Sequence, residues 1–410
     1  MRSLLFLFGL LLMLSCHQEP IPCEVPECNP DTIPAEDSMK LLWSLPFNTT
    51  GLNELDNDLY LLDEDKIIIT GEGDETVRCF SIPDSTYLWK YSGFDFHRYS
   101  SHSLDLNNKK FAGCYFSLTT SLNLETGEEY WQNDVSPFPK GNPRMSIIGD
   151  YFYHSHEDLT GANRFSSLVR KPLTIDQAWD TLFILDSVEY NNFSPGFIGP
   201  SLWMHPNTND SILIIPVRMV EFDRNLRRSD VIAFNLNTRE IMWQVEDFTG
   251  IVHVDQPIIH DDQVYVKNDS EIFAFKLLDG SLAWSFKETS QWANYGRGTL
   301  QVIDDKLIMV DNNGTVVYAI DPLSGQTIWR HDQNGKFASG KNGIVVYKNY
   351  IITGSFNKLD VFDVRDGKHV YQVRNTVRRF RGRMALDEAN RKLYVPEESQ
   401  IVAYELPEEF

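Results

Sequence analysis

The sequence has 410 residues, of which 42% are apolar and 12% aromatic, which is ample material for a β-sheet core. Acidic residues outnumber basic ones by 58 to 37, giving a net charge of −21 at pH 7. A surface of this charge repels nucleic acid and anionic lipid headgroups, so we expect no nucleic-acid partner and no electrostatic attachment to membranes.

The chain starts with an apolar run over residues 4–14, followed by Ser15 and Cys16. This run is too short to span a bilayer and is typical of a secretory signal peptide. A small residue before a cysteine resembles the bacterial lipobox, so residues 1–15 are predicted to be removed and Cys16 to be lipidated. Ordinary cleavage nearby, with loss of Cys16, is the alternative. His17 is not the Asp that resembles an inner-membrane retention signal, which favours the outer membrane.

Residues 16–38 are rich in Pro, Glu and Asp and lack apolar periodicity, so they are predicted to form a flexible tether. Within this tether Cys23 and Cys28 could form a disulfide loop in an oxidising compartment, or remain unpaired. Cys79 and Cys114 fall at strand positions, where we expect buried apolar residues rather than disulfide partners.

The rest of the chain, 39–410, repeats one short phrase whose fullest copy runs from Ala319 to Trp329. In this copy Asp321 occupies a turn, Gly325 follows four residues later and Trp329 begins the next strand. Asp side chains satisfy turn backbone groups and Gly accepts positive φ, so the phrase predicts a strand, a tight turn and a second strand. The aromatic residues predicted to close the copies are Trp43, Trp89, Trp131, Trp243, Trp284, Trp329 and Tyr371.

Each phrase follows two further short apolar runs, so each repeat supplies about four strands. The spacing from Trp89 to Trp131 is 42 residues and that from Trp284 to Trp329 is 45. Four-stranded units of about 40 to 50 residues are the signature of propeller blades. The interval from Trp131 to Trp243 is long enough for two enlarged units, with Trp179 or Phe183 as the aromatic anchor of the first. The sequence therefore predicts an all-β, eight-bladed propeller, or a seven-bladed one if this interval is an insertion.

The final copy of the phrase starts at Ala403 and stops at Phe410 before any aromatic strand. Near the other end, Trp43 lies on an aromatic strand with no phrase before it. A ring of blades must join its first and last members or leave a sheet edge open to pairing. We therefore expect the strand around Trp43 to complete the C-terminal blade.

This phrase resembles the repeat of the pyrroloquinoline-quinone enzyme family, which includes quinoprotein dehydrogenases and BamB-like lipoproteins of outer-membrane assembly. The resemblance implies an eight-bladed propeller in which the Trp of each outer strand docks against a neighbouring blade. It also implies, in the dehydrogenases, a vicinal disulfide over the quinone and a calcium site of Glu, Asn and Asp. The chain has no adjacent cysteine pair, so we expect no cofactor.

Several clusters of residues invite a catalytic or metal-binding interpretation. The acidic pairs Asp261-Asp262 and Asp304-Asp305 recur between the first and second strands of a repeat, where turn chemistry explains them better than metal binding. His154 and His156 would share one face of a strand, as metal ligands could, but no third ligand is evident. The simpler expectation is a pair of surface histidines in an enlarged blade, and neither a metal nor a catalytic residue is predicted.

Basic residues gather in the segments that follow each aromatic strand and lead to the axis of the next blade. In so acidic a chain this placement suggests a positive mouth for an anionic ligand or an acidic partner, with aromatic residues such as Phe380 as stacking faces. The alternative is that these arginines pair with acidic neighbours and hold blades together. The candidate mouth residues are Arg98, Arg144, Arg297, Arg378, Arg381 and Arg383.

We therefore expect a lipid-anchored, non-catalytic propeller of the bacterial envelope, which meets the membrane through its lipid alone. Its partners would be envelope proteins or an anionic ligand, in the manner of BamB-like assembly scaffolds. The alternative is a quinoprotein-type oxidoreductase or another propeller enzyme, because unrelated activities share this fold.

Overall fold

A computed structural model gives the fold of the chain. It describes residues 39–46, 57–71, 76–93, 101–115, 118–134, 145–158, 165–186, 194–221, 226–249, 256–268, 271–287, 299–310, 316–332, 344–355, 358–374, 380, 382–397, 400–408 and 410. These residues form strands and turns, and no helix capable of crossing a membrane occurs among them.

The strands form eight antiparallel sheets, which are the blades. The chain begins with β1 (Lys40–Pro46). Blade 1 contains β2 (Asn57–Leu62), β3 (Lys66–Gly71), β4 (Thr76–Ser81) and β5 (Thr86–Tyr91). Blade 2 contains β6 (Ser101–Asp105), β7 (Lys110–Tyr115), β8 (Leu118–Asn123) and β9 (Glu129–Asp134). Blade 3 contains β10 (Met145–Ile148), β11 (Tyr151–Asp158), β12 (Phe165–Pro172) and β13 (Asp180–Asp186). Blade 4 contains β14 (Ser194–Phe197), β15 (Ser201–Met204), β16 (Ser211–Glu221), β17 (Leu226–Asn235) and β18 (Glu240–Thr249).

The second half of the ring is more regular. Blade 5 contains β19 (Ile258–His260), β20 (Gln263–Lys267), β21 (Glu271–Lys276) and β22 (Leu282–Lys287). Blade 6 contains β23 (Thr299–Ile303), β24 (Lys306–Val310), β25 (Val316–Ile320) and β26 (Thr327–Asp332). Blade 7 contains β27 (Ile344–Tyr347), β28 (Tyr350–Ser355), β29 (Lys358–Asp363) and β30 (His369–Arg374). Blade 8 contains β31 (Ala385–Asp387), β32 (Lys392–Glu397) and β33 (Gln400–Glu405).

The ring closes through the first strand of the chain. β1 pairs antiparallel with β33, and Trp43 lies opposite Ala403, so β1 is the outer strand of blade 8. The inner strand β31 of blade 8 in turn contacts β2 of blade 1. The predicted eight-bladed propeller, closed by an N-terminal strand in the C-terminal blade, is confirmed.

The two faces of the propeller differ in the connections they carry. Because consecutive strands are antiparallel, the turns after the first and third strands of every blade lie at the same end of the sheet. We call this end the turn face. The opposite end, at which each first strand begins and each second strand ends, is the mouth face.

The hydrophobic core lies between blades rather than within one. Strand side chains alternate between the two faces of a sheet, so each blade presents one apolar row to each neighbour. Between blades 5 and 6, for example, Tyr265 and Ile272 pack with Leu307 and Tyr318, all of which are buried.

Blades 3 and 4 depart from the regular pattern. β16, β17 and β18 are longer than their equivalents, and the inner strand of blade 4 is divided, because β14 and β15 pair with successive parts of β16. The extra length of β16 and β17 lies at the mouth face, where β14 contacts β11 and β12 of blade 3. The long interval between Trp131 and Trp243 is thus filled by two tall blades rather than by an insertion.

Candidate functional site

Five outer-strand tryptophans dock onto a turn of the following blade. Trp284 Nε1 donates a hydrogen bond to the carbonyl of Pro322 at 2.8 Å, and a Cβ at Gly325 would lie 2.6 Å from the Trp284 ring. Gly325 has φ +71°, so the glycine meets both the turn geometry and the close approach. The equivalent indole bonds join Trp89 to Glu125, Trp131 to Pro172, Trp243 to Leu277 and Trp329 to Val364.

Three further blades use other aromatic contacts. The Trp43 ring lies 6.4 Å from that of Phe80 in blade 1, and the Tyr371 ring lies 5.0 Å from that of Phe410. In blade 3 the anchor is Phe183, which pairs with Leu168 next to a bulge and stacks on Phe234 of blade 4 at 4.8 Å. Trp329 and Ala319 have the same relation to the bulge of blade 6. The sequence left Trp179 and Phe183 as alternative anchors of blade 3. The pairing of β12 with β13 shows that the anchor is Phe183.

One predicted mouth residue, Arg383, lies among the described residues. Its guanidinium carbon is 4.9 Å from the centre of the Tyr60 ring, and its backbone N–H donates to Asp58 at 2.8 Å. The Tyr60 hydroxyl and His102 Nε2 are 3.2 Å apart, and the Thr70 hydroxyl lies 3.1 Å from the same nitrogen. Burial, reinforced by the Asp58 charge, raises the pKa of Tyr60.

These residues form a polar junction at the mouth ends of blades 8, 1 and 2. Asp58 Oδ2 also approaches His102 Nε2 at 3.7 Å, so the carboxylate faces both Arg383 and the imidazole. Asp58, Tyr60 and His102 were not predicted from sequence. Asp58 and Tyr60 are two residues apart, so the sequence alone places them on the same face of their strand. Their contact with His102 depends on how the blades pack against one another.

The remaining mouth arginines, which are Arg98, Arg144, Arg297, Arg378 and Arg381, lie outside the described residues. Phe380, which was expected to offer a stacking face, is instead 1% exposed and packs between blades 7 and 8 with Tyr371 and Met384. That expectation is wrong because the residue bridges to Glu397 and is drawn into the interblade core.

A second polar cluster lies buried between blades 2 and 3. His154 and His156 are 3% and 7% exposed, so the expected surface histidines are in fact core residues. His154 Nε2 lies 3.3 Å from Cys114 Sγ, and the two imidazole centres are 4.9 Å apart. The Trp179 indole covers both rings, at 6.0 and 5.4 Å. These histidines are buried because Trp179, freed from the anchor position, lies over them.

Burial controls the protonation of this cluster. It lowers the pKa of His156 to about 4 and, together with the nearby His156, holds the pKa of His154 well below its usual value. Burial also raises the pKa of the Cys114 thiol. Both imidazoles are therefore neutral at pH 7 and the thiol is protonated. Among the described residues, no group of three or more His, Cys, Asp or Glu side chains is arranged to hold a metal ion.

The acidic pairs lie where turn chemistry predicts. Asp261, Asp304 and Asp305 have φ between 49° and 53° in turns between first and second strands. In the phrase itself, Asp321 Oδ1 accepts backbone hydrogen bonds from Leu323 and Ser324 at 3.0 and 2.8 Å. Cys79 and Cys114 are buried thiols on strands, as expected.

Comparison with known proteins supports the repeat assignment. Residues 223–407 match the family model described as "Outer membrane protein assembly factor BamB". No curated protein matches the chain. Among solved structures, the C-terminal WD40 domain of Sif2 is similar with a TM-score of 0.61 and 9% identity, covering 91% of this chain and 100% of that domain. The quinohemoprotein alcohol dehydrogenase from Comamonas testosteroni has a TM-score of 0.64 and 9% identity, covering 90% of this chain and 76% of that one.

At 9% identity these two structures bear on the fold alone. The family match extends from the long blade 4 hairpin through blade 8, which includes the phrase copies near Trp329 and Tyr371. The resemblance expected from the repeat is thus confirmed, and over residues 223–407 the chain is similar to the BamB-like, PQQ-repeat β-propellers.

Proposed function

We propose that this propeller is a lipid-anchored, non-catalytic scaffold that binds other proteins of the bacterial envelope, as BamB-like assembly factors do. The match of residues 223–407 to the BamB family model is the observation that carries the proposal. The proposal includes an outer-membrane location, with Cys16 lipidated after removal of residues 1–15, and the apolar run of residues 4–14 before Ser15 and Cys16 supports it.

The mouth geometry supports a structural role for at least one basic residue. Arg383 contacts Tyr60 and Asp58 of the adjacent blade, and Asp58 also faces His102 of the next. These side chains hold three blades together at the mouth face.

The point of attachment also suits a tethered scaffold. β1 starts at Lys40, which pairs with Glu405 at the turn end of blade 8. A tether of residues 16–38 would therefore join the propeller at the rim of its turn face. Both faces of the ring would remain available to proteins of the envelope.

Crosslinking and affinity capture from the envelope test this proposal. We expect the wild-type chain to fractionate with membranes and to retain a reproducible set of envelope proteins after crosslinking. The Cys16→Ser variant should leave the membrane fraction because the acylated residue is gone. A wild-type chain that retains no envelope protein would contradict the scaffold role, and membrane association that survives Cys16→Ser would contradict the anchor.

The second candidate function is a quinoprotein-type oxidoreductase or another propeller enzyme. The PQQ-type repeat itself is the observation that keeps this candidate in view. Binding of pyrroloquinoline quinone in the presence of calcium distinguishes it from a scaffold.

A further inference from the structure

The turn face of blades 4 to 6 carries exposed aliphatic side chains that the proposed function does not by itself explain. They lie at the starts of outer strands and in the turns that precede them. Their exposure runs from 37% for Met242 to 65% for Leu323. We call them the apolar row, which consists of Ile241, Met242, Leu278, Leu282, Leu323 and Ile328.

The docking of tryptophans connects the members of this row from blade to blade. Trp243, next to Met242, donates to the carbonyl of Leu277 at 2.7 Å, beside Leu278. Trp284 likewise follows Leu282 closely and donates to Pro322, beside Leu323. Each of these two tryptophans thus lies within two residues of exposed aliphatic residues on its own strand and donates to the carbonyl that precedes the exposed leucine of the following turn.

The row has defined ends. At the turn position of Leu278 and Leu323, blade 4 has Asn237 and blade 7 has Arg365. Arg365 is bound to Asp363 through its guanidinium. The exposed leucine is therefore a feature of blades 5 and 6 and not a general property of the repeat.

Carboxylates surround the row on the same face. The turns of blades 5 and 6 contain Asp261, Asp262, Asp279, Asp304, Asp305 and Asp321. The cations beside the row are Lys276, Lys306 and Arg239. Lys306 is paired with Asp304, and Arg239, which lies before Ile241, is paired with Asp180, both at 2.9 Å. Asp305 has a side chain that is 93% exposed. The surface is therefore apolar and locally negative.

The negative charge disfavours some of the partners that could cover an apolar surface and favours others. A lipid bilayer with anionic headgroups would be repelled by the carboxylates, and a second copy of a chain with net charge −21 would bring like charge to like. A segment with basic and aliphatic side chains satisfies both parts of the surface, because its cations face the carboxylates while its apolar groups cover the row.

We propose that the apolar row and its carboxylates form a docking surface for a cationic, amphipathic segment of a protein partner. This inference rests on the proposed scaffold function and specifies one of its binding surfaces. It places that surface on the turn face, at the end of the ring opposite Arg383.

A peptide titration tests the surface directly. The probe is a fluorescein-labelled peptide of alternating lysine and leucine, compared with lysine–serine and glutamate–leucine peptides, and binding is followed by anisotropy near physiological salt. One variant combines Leu278→Ser and Leu323→Ser, and another combines Asp262→Asn and Asp305→Asn, where Asn tolerates the positive φ of Asp305. We expect each pair to weaken binding of the lysine–leucine peptide about 10-fold, equivalent to ~1.4 kcal/mol.

The control pair, Glu64→Gln with Asp84→Asn, removes the same charge from exposed turns of blade 1. We expect it to leave the affinity within about 2-fold of wild type, because charges beyond a Debye length are largely screened. Equal weakening by the control, unchanged binding in the leucine variant, or equally tight binding of the glutamate–leucine peptide would each overturn the proposal. Unfolding midpoints verify that all variants are folded.

Envelope capture separates this inference from the scaffold proposal. If wild type retains partners and both turn-face variants retain the same partners, the docking surface is wrong while the scaffold role stands. If wild type retains none, the scaffold role fails, and the peptide titration decides the surface by itself.

Discussion

The two histidines of β11 show that the burial of a residue can differ from what its neighbouring sequence predicts. His154 and His156 alternate on β11 as metal ligands or surface residues would, yet they lie inside the contact between blades 2 and 3. Their burial follows from Trp179, whose indole lies over both rings because Phe183 takes the anchor position. The sequence of β11 alone does not predict this burial, because Trp179 belongs to the connection between β12 and β13.

This setting predicts a stability that falls in mild acid. The folded-state pKa of His156 is about 4, below the ordinary value of 6.5, so the unfolded chain binds the proton more readily between these two values. The contribution of neutral His156 to the free energy of unfolding is complete above pH 6.5 and is lost as the pH falls toward 4. From pH 7.5 to pH 5, His156 accounts for a loss of about 2 kcal/mol, and His154 adds to it in the same direction.

Urea unfolding at pH 7.5 and pH 5 measures this loss in wild type and in His156→Gln. The variant, which cannot gain the proton, should show a smaller difference between the two pH values. An unchanged pH dependence in the variant would mean that the pKa of His156 is the same in the folded and unfolded chain.

At the scale of the element, the repeated phrase acts as a joint between blades. Its Asp supports the turn, its glycine allows both the positive φ and the approach of the neighbouring indole, and its aromatic residue reaches the next blade. These roles follow from the side chains themselves, and this is why the strands, turns and tryptophan docking could be predicted. The divided inner strand of blade 4 could not, because it depends on pairing with an unusually long β16.

Two glycine-to-alanine substitutions separate two contributions to the free energy of unfolding, the strain of a left-handed backbone and the crowding of a docked indole. Gly149 has φ +57° with nothing within 4 Å of a Cβ, whereas Gly325 has φ +71° and faces Trp284. Gly149→Ala should cost about 1 to 2 kcal/mol for the left-handed backbone alone. Gly325→Ala should cost a further 1 to 3 kcal/mol, roughly the penalty of overpacking, because the methyl group displaces the indole.

Denaturant midpoints give both values, with Trp284→Ala as a reference that removes the indole. Within the Trp284→Ala background the extra cost of Gly325→Ala should largely disappear, since the two residues are in contact. Equal costs for the two glycines in the wild-type background would show that the indole does not constrain the joint.

At the scale of the whole molecule, the ends of the chain determine how the ring closes. β1 and β33 are almost the full chain apart in sequence but pair as neighbouring strands, and this pairing was predictable from the incomplete final phrase. The polar junction of Arg383, Tyr60 and His102 depends on the same closure, since it joins blades 8, 1 and 2. Its residues could be named only once the order of the blades was known.

The ring also separates two kinds of surface. Arg383 belongs to the mouth face, while the exposed leucines and aspartates of blades 5 and 6 belong to the turn face. Two faces of different chemistry suit a protein that brings partners together. In the proposed scaffold, each face of the ring would hold a different partner.

The central claim is that a PQQ-type repeat here builds a binding scaffold rather than a quinone enzyme. The two cysteines on described strands, Cys79 and Cys114, are buried in separate blades, and the sequence contains no adjacent cysteine pair to lie over a quinone. The most direct test is to mix the purified chain with pyrroloquinoline quinone and calcium, then to separate protein from free quinone by gel filtration. We predict that the quinone absorbance elutes entirely with the small molecules, whereas one equivalent of quinone eluting with the protein would contradict the claim.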